Sequence, residues 1–428
     1  MLNFEKRILN NGLRVILAPM ENSEAVTIQI LAGIGSNHEI KKNNGISHFL
    51  EHLFLKGTKK WPNTGDLNKE MDRIGASHNA FTTKEATGFW VKSSVKDFNT
   101  GFEIISDVIL NPLFKEEEIG KERNVILQEI NMCEDLHIQK TLTNLISLMY
   151  GDQSMGWEIT GTKETVSSIN RQDIISYREK NYFAENMIIV VAGGIKKDEV
   201  FKRINEVFSN IKKEGEKPNF EFNDFQDSPK VEIINKKTDQ SHLAVGIKAF
   251  DMFNKRRYAL NVLSTILGGK SSSILFMEIR EKLGLAYYVG SMSWLLSKAG
   301  ILFVRAGVAH ENLEKTVSKI SEIFDDLKKN GVSKNDLEDA KSHIRGQMAL
   351  SFETTDQVAD FYGEQELFYN EIMQPEEILK EIEKVTQDDI IKLAGDIFQP
   401  GKISMAVIGS HPDFSQKEEF YKNLFSKI

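Results

Sequence analysis

The five residues His48-Phe49-Leu50-Glu51-His52 lie in a run from Gly45 to Lys56 that is apolar nearly all round and is closed by Gly57. Such a run predicts a buried helix. On a helix, positions i, i+3 and i+4 share one face, so two imidazoles and one carboxylate converge there. Isolated buried charge is costly, so the three groups must be paired or bound to a metal. Two neutral imidazoles suit Zn²⁺, and a carboxylate one turn away can hold an attacking water without ligating the ion. A lone histidine here would read as a helix cap or a satisfied core residue. The whole five-residue pattern arises by chance in a chain this long on the order of 1% of the time, which favours metal.

A third protein ligand is needed. The stretch Lys115 to Cys133 has helical periodicity and carries Ile119, Glu122, Ile126, Glu129 and Cys133 at steps of three and four. Two glutamates therefore sit on the stripe that should face the core. A carboxylate in that position usually has a charged or metal partner, although a partly exposed helix with solvated glutamates reads the same way. The second half of the chain decides between them. The order strand, helix, strand, paired helices and closing strand recurs at an offset of about 218 residues, Glu118 falling against Asp336. In that register Glu122 falls against Ala340 and Glu129 against Gln347, and no second His-x-x-Glu-His occurs near the matching helix, Tyr258 to Leu267. A half that keeps the scaffold and lacks the charges is expected if the carboxylates serve a site.

The wider chain fits a duplicated α+β protein. At 428 residues it exceeds one ordinary domain. Strand-like runs at Arg14–Ala18, Val26–Leu31 and Met187–Ala192 frame a helical stretch, Phe98 to Leu110, that stops at Asn111-Pro112. Periodicity fails around Lys212 to Lys230, and the plan then repeats, ending in Ile403–Gly409. We expect two homologous domains of antiparallel sheet covered by helices: 1–215 with the metal residues, a linker at 216–230, and 231–428 without them. The 40% hydrophobic and 27% charged residues are those of a globular chain. A net charge of −8 argues against nucleic-acid and anionic-membrane partners. The single cysteine, Cys133, excludes an intrachain disulfide and reads as a packed thiol rather than a nucleophile. With no signal peptide or membrane span visible, a cytoplasmic location is expected. Gly268-Gly269-Lys270-Ser271 lacks the leading glycine of a phosphate loop and follows a helix, so it is rejected as one. The other histidines (His38, His78, His137, His242, His310, His343 and His411) show no ligand spacing.

The inverted motif H-x-x-E-H, with Glu122 and Glu129 placed 70 and 77 positions beyond His52, resembles the pitrilysin/insulysin family of zinc metallopeptidases. Length and two-half layout resemble its mitochondrial processing peptidase-like bacterial subgroup, from about Leu9 to Gly409. The resemblance implies that His48, His52 and Glu129 ligate one Zn²⁺ per active site. It implies that Glu51 is the catalytic general base and that Glu122 orients a ligand histidine from behind. Asn79-Ala80-Phe81-Thr82 resembles the family's edge-strand segment, where substrate backbone adds as an extra strand. The run from Met277 to Tyr287 resembles its substrate-positioning Arg/Tyr pair. There Gly284 should end a helix and turn the chain back, making Arg280 and Tyr287 neighbours suited to a peptide carbonyl and its oxyanion.

The function so implied is that of a zinc metalloendopeptidase acting on unfolded peptides or presequence-like segments. A homodimer would be self-sufficient, one subunit's zinc motif facing the partner's Arg280 and the partner's Tyr287; a heterodimer with a related subunit is the other arrangement. The competing functions are a non-catalytic scaffold or subunit of a processing-peptidase-like complex, and a small-molecule metallohydrolase. The intact Glu51 speaks against the first and the unexplained second half against the other. The chain departs from the family's pattern at Gln153-Ser154-Met155-Gly156, where His-Pro-Leu-Gly is frequent.

Overall fold

A computed structural model describes residues 3–428; Met1 and Leu2 lie outside the described residues. The strands form two sheets. The first contains β1 (Glu5–Ile8), β2 (Arg14–Pro19), β3 (Ala25–Ala32), β4 (Ser77–Thr82), β5 (Thr87–Ser94) and β6 (Met187–Gly193), in the order β1-β2-β6-β3-β5-β4. The second contains β7 (Lys230–Asn235), β8 (Ser241–Lys248), β9 (Ala286–Leu295), β10 (Gly300–Val308) and β11 (Ile403–Gly409), in the order β7-β11-β8-β10-β9. Leaving out β1, the two orders correspond strand for strand, with β2, β6, β3, β5 and β4 matching β7, β11, β8, β10 and β9. This is the expected duplicated α+β fold, with one refinement. Each sheet carries a single parallel pair, β2 with β6 and β7 with β11, because each half's closing strand returns beside its opening one.

The chain forms two compact units, and each borrows from the other half of the sequence. One comprises residues up to Ile130, Trp157–Glu221 and Met348–Pro375; the other comprises Asn131–Gly156, Phe222–Gln347 and Glu376–Ile428. Strands β6 and β11 are buried along their whole length, so both of their faces need cover. In the first unit, Val15, Leu17, Ile28, Ile30, Ile189 and Val191 face helices Ile46–Phe54 and Phe98–Leu110 within one core. Their neighbours Ile16, Ala18, Ile188, Val190 and Ala192 point to the opposite face. Helix Thr355–Phe368 closes that face with Val358, Ala359 and Tyr362. Fully buried Glu366 on the same helix pairs with Lys6 at 2.7 Å and Arg14 at 3.3 Å, pinning the helix to β1 and β2. Reciprocally, helix His137–Tyr150 lies on β8 and β11 in the second unit.

Candidate metal centre

Helix Ile46–Phe54 is built to be rigid at its start. Gly45 adopts a left-handed conformation (φ +95°), and a Cβ there would meet Thr160 O at 2.7 Å and Gly161 Cα at 2.9 Å, so glycine is required. The buried Glu39 carboxylate accepts hydrogen bonds from the backbone N–H of Gly45 (2.8 Å) and Ser47 (2.9 Å) and from Asn44 Nδ2 (2.9 Å). An anion at this end complements the helix dipole. Burial nonetheless leaves the Glu39 pKa above its ordinary value, the hydrogen bonds offsetting only part of it. Ser47 Oγ meets Tyr177 Oη at 2.8 Å, and Phe49, Leu50, Leu53 and Phe54 fill the core.

On this frame the His48 and His52 rings stand 4.6 Å apart. Helix Glu116–Asp135 brings Glu129 opposite both, with Oε1 at 3.6 Å from His48 Nε2 and Oε2 at 3.6 Å from His52 Nε2. These separations are long for hydrogen bonds. They suit ligands of one tetrahedral zinc, which at metal–ligand lengths near 2.0–2.1 Å lie roughly 3.3–3.4 Å from one another. Among the described residues, His48, His52 and Glu129 are the one set of three or more His, Cys, Asp or Glu whose ligand atoms gather closely enough for a metal. The donor set fits Zn²⁺.

The surrounding groups orient this set. Glu122, 5% exposed, places Oε2 at 3.2 Å from His52 Nδ1 and Oε1 at 2.8 Å from Lys56 Nζ. Thr82 Oγ1, at the end of β4, donates to Glu51 Oε2 at 2.6 Å. Burial, helped by the nearby His52, pushes the His48 pKa down to about 3, so the ring is neutral and has a lone pair to give. Burial also lowers the His52 pKa, but the Glu122 hydrogen bond and the charges of Glu51 and Glu129 outweigh it and leave that pKa raised. Glu51 is raised by burial, with Thr82 and His52 opposing. Burial raises the Glu122 pKa, yet its contacts with His52 and Lys56 more than offset this and hold it below the ordinary carboxylate value. Three carboxylates around two imidazoles leave a local excess of negative charge, which a divalent cation would balance.

The remaining candidates fall in two places. Asn79, Ala80, Phe81 and Thr82 lie on β4, which among the described residues pairs only with β5 and forms one edge of the first sheet. Arg280 and Tyr287 belong to the second unit. Arg280 lies in a π-helical segment, Phe276–Lys282, with its guanidinium 4.9 Å from the centre of the Phe276 ring. Gly284 turns the chain at φ +60°, as expected, and Tyr287 on β9 is 78% exposed. In the duplicate of the Glu129 helix, Lys334–Leu350, Ala340 is fully buried and Gln347 is exposed.

Two features escaped the sequence. Lys56 was within reach of helical spacing, four residues beyond His52, whereas the Thr82–Glu51 bond joins elements that no local pattern connects. The second unit also holds a histidine network. His310 Nε2 donates to Thr238 O (2.9 Å), so its Nδ1 accepts from Ser241 Oγ (2.8 Å), and Ser241 Oγ in turn accepts from His411 Nε2 (2.7 Å). His411 Nδ1 then accepts from Lys417 Nζ at 3.1 Å.

Two imidazoles and a carboxylate from facing helices, with a further carboxylate held beside them on a duplicated sheet scaffold, form a candidate metal site. The chain belongs to the insulinase family, peptidase family M16: the family model matches residues 14–163, and the model of the M16 inactive domain matches 168–344. An uncharacterized zinc protease of Rickettsia felis is 34% identical over 414 residues, covering 95% of this chain and 98% of its own. The uncharacterized zinc protease YmxG of Bacillus subtilis is 33% identical over 388 residues, covering 91% of this chain and 94% of its own. Among solved structures, a protease from Helicobacter pylori shares the fold with a TM-score of 0.89 at 24% identity, covering 96% of this chain and all of that one. A peptidase M16 inactive domain from Pseudomonas fluorescens shares it with a TM-score of 0.88 at 17% identity, covering 96% and 99%.

Proposed function

We propose that this chain is a zinc metalloendopeptidase that hydrolyses internal bonds of unfolded peptides or presequence-like segments. The observation that carries the reading is the convergence of His48 Nε2 and His52 Nε2 on the two oxygens of Glu129, each at 3.6 Å, with Glu51 on the same helix face. Zinc, held by these three side chains, would supply an acidified water and a polarised substrate carbonyl. Glu51 accepts the proton of the attacking water and delivers it to the leaving amine. Thr82 orients Glu51, and Glu122 fixes the His52 tautomer by accepting from Nδ1, which leaves Nε2 as the donor atom. The free edge of β4 at Asn79–Thr82 pairs with the backbone of an extended substrate, while Arg280 and Tyr287 hold a peptide carbonyl. A homodimer carries every one of these residues.

The alternative, a non-catalytic scaffold, draws on the match to an inactive-domain model. That match covers 168–344, a stretch that includes β6 of the first sheet but none of the metal residues, and so does not bear on the candidate metal site. Metal analysis together with hydrolysis of a quenched peptide library tests the reading on the wild type and Glu51→Gln. One zinc per chain and cleavage abolished in Glu51→Gln are expected. Unchanged cleavage in that variant would sink the mechanism, and a zinc-loaded wild type that cleaves no peptide would support the scaffold. For Arg280, mixing inactive Arg280→Ala and Glu51→Gln dimers should restore part of the activity if the two residues act across subunits.

A further inference from the structure

The segment that carries His52 contributes a further group just past the end of helix Ile46–Phe54. Lys56, four residues beyond His52, sends Nζ back to within 2.8 Å of Glu122 Oε1. The same carboxylate uses its other oxygen on His52 Nδ1 at 3.2 Å. One buried carboxylate therefore bridges His52, in the last turn of the helix, and Lys56, two residues past its end.

The geometry points to Lys56 as a positioning residue for the metal centre: by engaging Glu122 Oε1 it locks the carboxylate rotamer that keeps Oε2 on His52 Nδ1, so that His52 presents Nε2 toward Glu129. This inference rests on the zinc assignment made above and deepens it.

Three observations separate this bridge from an ordinary surface ion pair, which contributes little. Glu122 is 5% exposed, so its oxygens have few water partners to replace Lys56. Its neighbour one turn earlier, Glu118, already has its own partners, Thr64 Oγ1 at 2.6 Å and Lys121 Nζ at 2.9 Å, which leaves Lys56 to Glu122. A carboxylate held by one oxygen only can swing about its terminal torsion, which is broad for glutamate. Two contacts on opposite oxygens remove that freedom. Partners behind a ligand histidine typically matter by 10–100-fold in metal affinity. Lys56 stands one contact further out, so the low end of that range, about tenfold, is expected for its loss.

The test compares wild type, Lys56→Met, Lys56→Gln and Lys56→Arg. Zinc affinity is measured by competition with a chromophoric chelator. The tautomer of His52 is measured by ¹⁵N NMR of the zinc-free proteins on the alkaline side of its titration. The wild type should hold one zinc and carry the His52 proton on Nδ1. Lys56→Met and Lys56→Gln should bind zinc about tenfold more weakly and populate the Nε2–H tautomer, while Lys56→Arg, which keeps a cation on the carboxylate, should restore both readouts. General loss of fold would lower affinity without that rescue and without a tautomer shift. A wild type that binds no zinc would overturn the zinc assignment and this inference with it. A zinc-binding wild type matched in affinity and in His52 spectrum by Lys56→Met or Lys56→Gln would overturn this inference alone.

Discussion

Replacing Thr82 by valine removes one hydroxyl, keeps the branched shape of the side chain, and tests whether the sheet edge steers the proposed base. Thr82 Oγ1 donates to Glu51 Oε2 at 2.6 Å, the length of a charge-assisted hydrogen bond. Hydrogen bonds to charged groups contribute about 1.5–3 kcal/mol. At 1.36 kcal/mol per tenfold, full loss of that orientation would cost about 10- to 150-fold in rate. The hydroxyl stabilises ionised Glu51, whose pKa burial already raises. Without it the pKa rises further, so the acid limb of the kcat/KM profile should move to higher pH. The assay is kcat and KM on a quenched peptide across pH, with zinc content measured on the same samples. We expect kcat to fall at least about tenfold in Thr82→Val with one zinc still bound, and Thr82→Ser to recover most of the loss. A Thr82→Val enzyme with wild-type kcat and an unmoved acid limb would refute the link between β4 and the base.

Further outcomes follow from other parts of the molecule. Because the His52 pKa is raised above 6.5 in the metal-free protein, zinc must displace a proton there. Affinity should therefore fall about tenfold per pH unit once pH drops below that pKa, and a flat chelator-competition titration would contradict this. Tyr362 is fully buried against Ile16, Ile188 and Val190, so Tyr362→Ala should cost about 3–5 kcal/mol in denaturant unfolding of the unit that carries the zinc motif, although the residue lies in the second half of the chain. In the second unit, burial, with the charges of Lys417 and His310, pushes the His411 pKa down to about 4 from 6.5. The folded state needs this ring neutral, so its contribution is whole above about pH 6.5 and is lost as pH falls from there toward 4. Melting temperatures between pH 7.5 and 4.5 should accordingly drop less steeply in His411→Gln than in the wild type, and parallel curves would contradict this.

The zinc motif was legible because its chemistry is local. Helical geometry alone puts His48, Glu51 and His52 on one face, and the step of seven between Glu122 and Glu129 does the same for the second helix. The strand runs, the helix Phe98–Leu110 and the turn at Gly284 were equally local, set by period and by glycine. The duplication was visible as an offset because both halves must satisfy the same packing plan. Even the loss of charge at Ala340 and Gln347 could be read off that register.

What the sequence determined by itself, then, is an inventory: two imidazoles and three carboxylates on two helices, on a scaffold used twice. Tertiary structure decided how they meet. It set Glu129 3.6 Å from both Nε2 atoms, split the two oxygens of Glu122 between His52 and Lys56, and brought Thr82 from the sheet edge to Glu51. It also sent helices His137–Tyr150 and Thr355–Phe368 each to the sheet of the other half. The physical reason is common to all four. Spacing fixes the face a side chain shares with its neighbours on the same element, but which partner covers that face depends on where buried area can be completed. A strand apolar on both sides, such as Met187–Gly193, records that it needs two covers without recording which helix provides them.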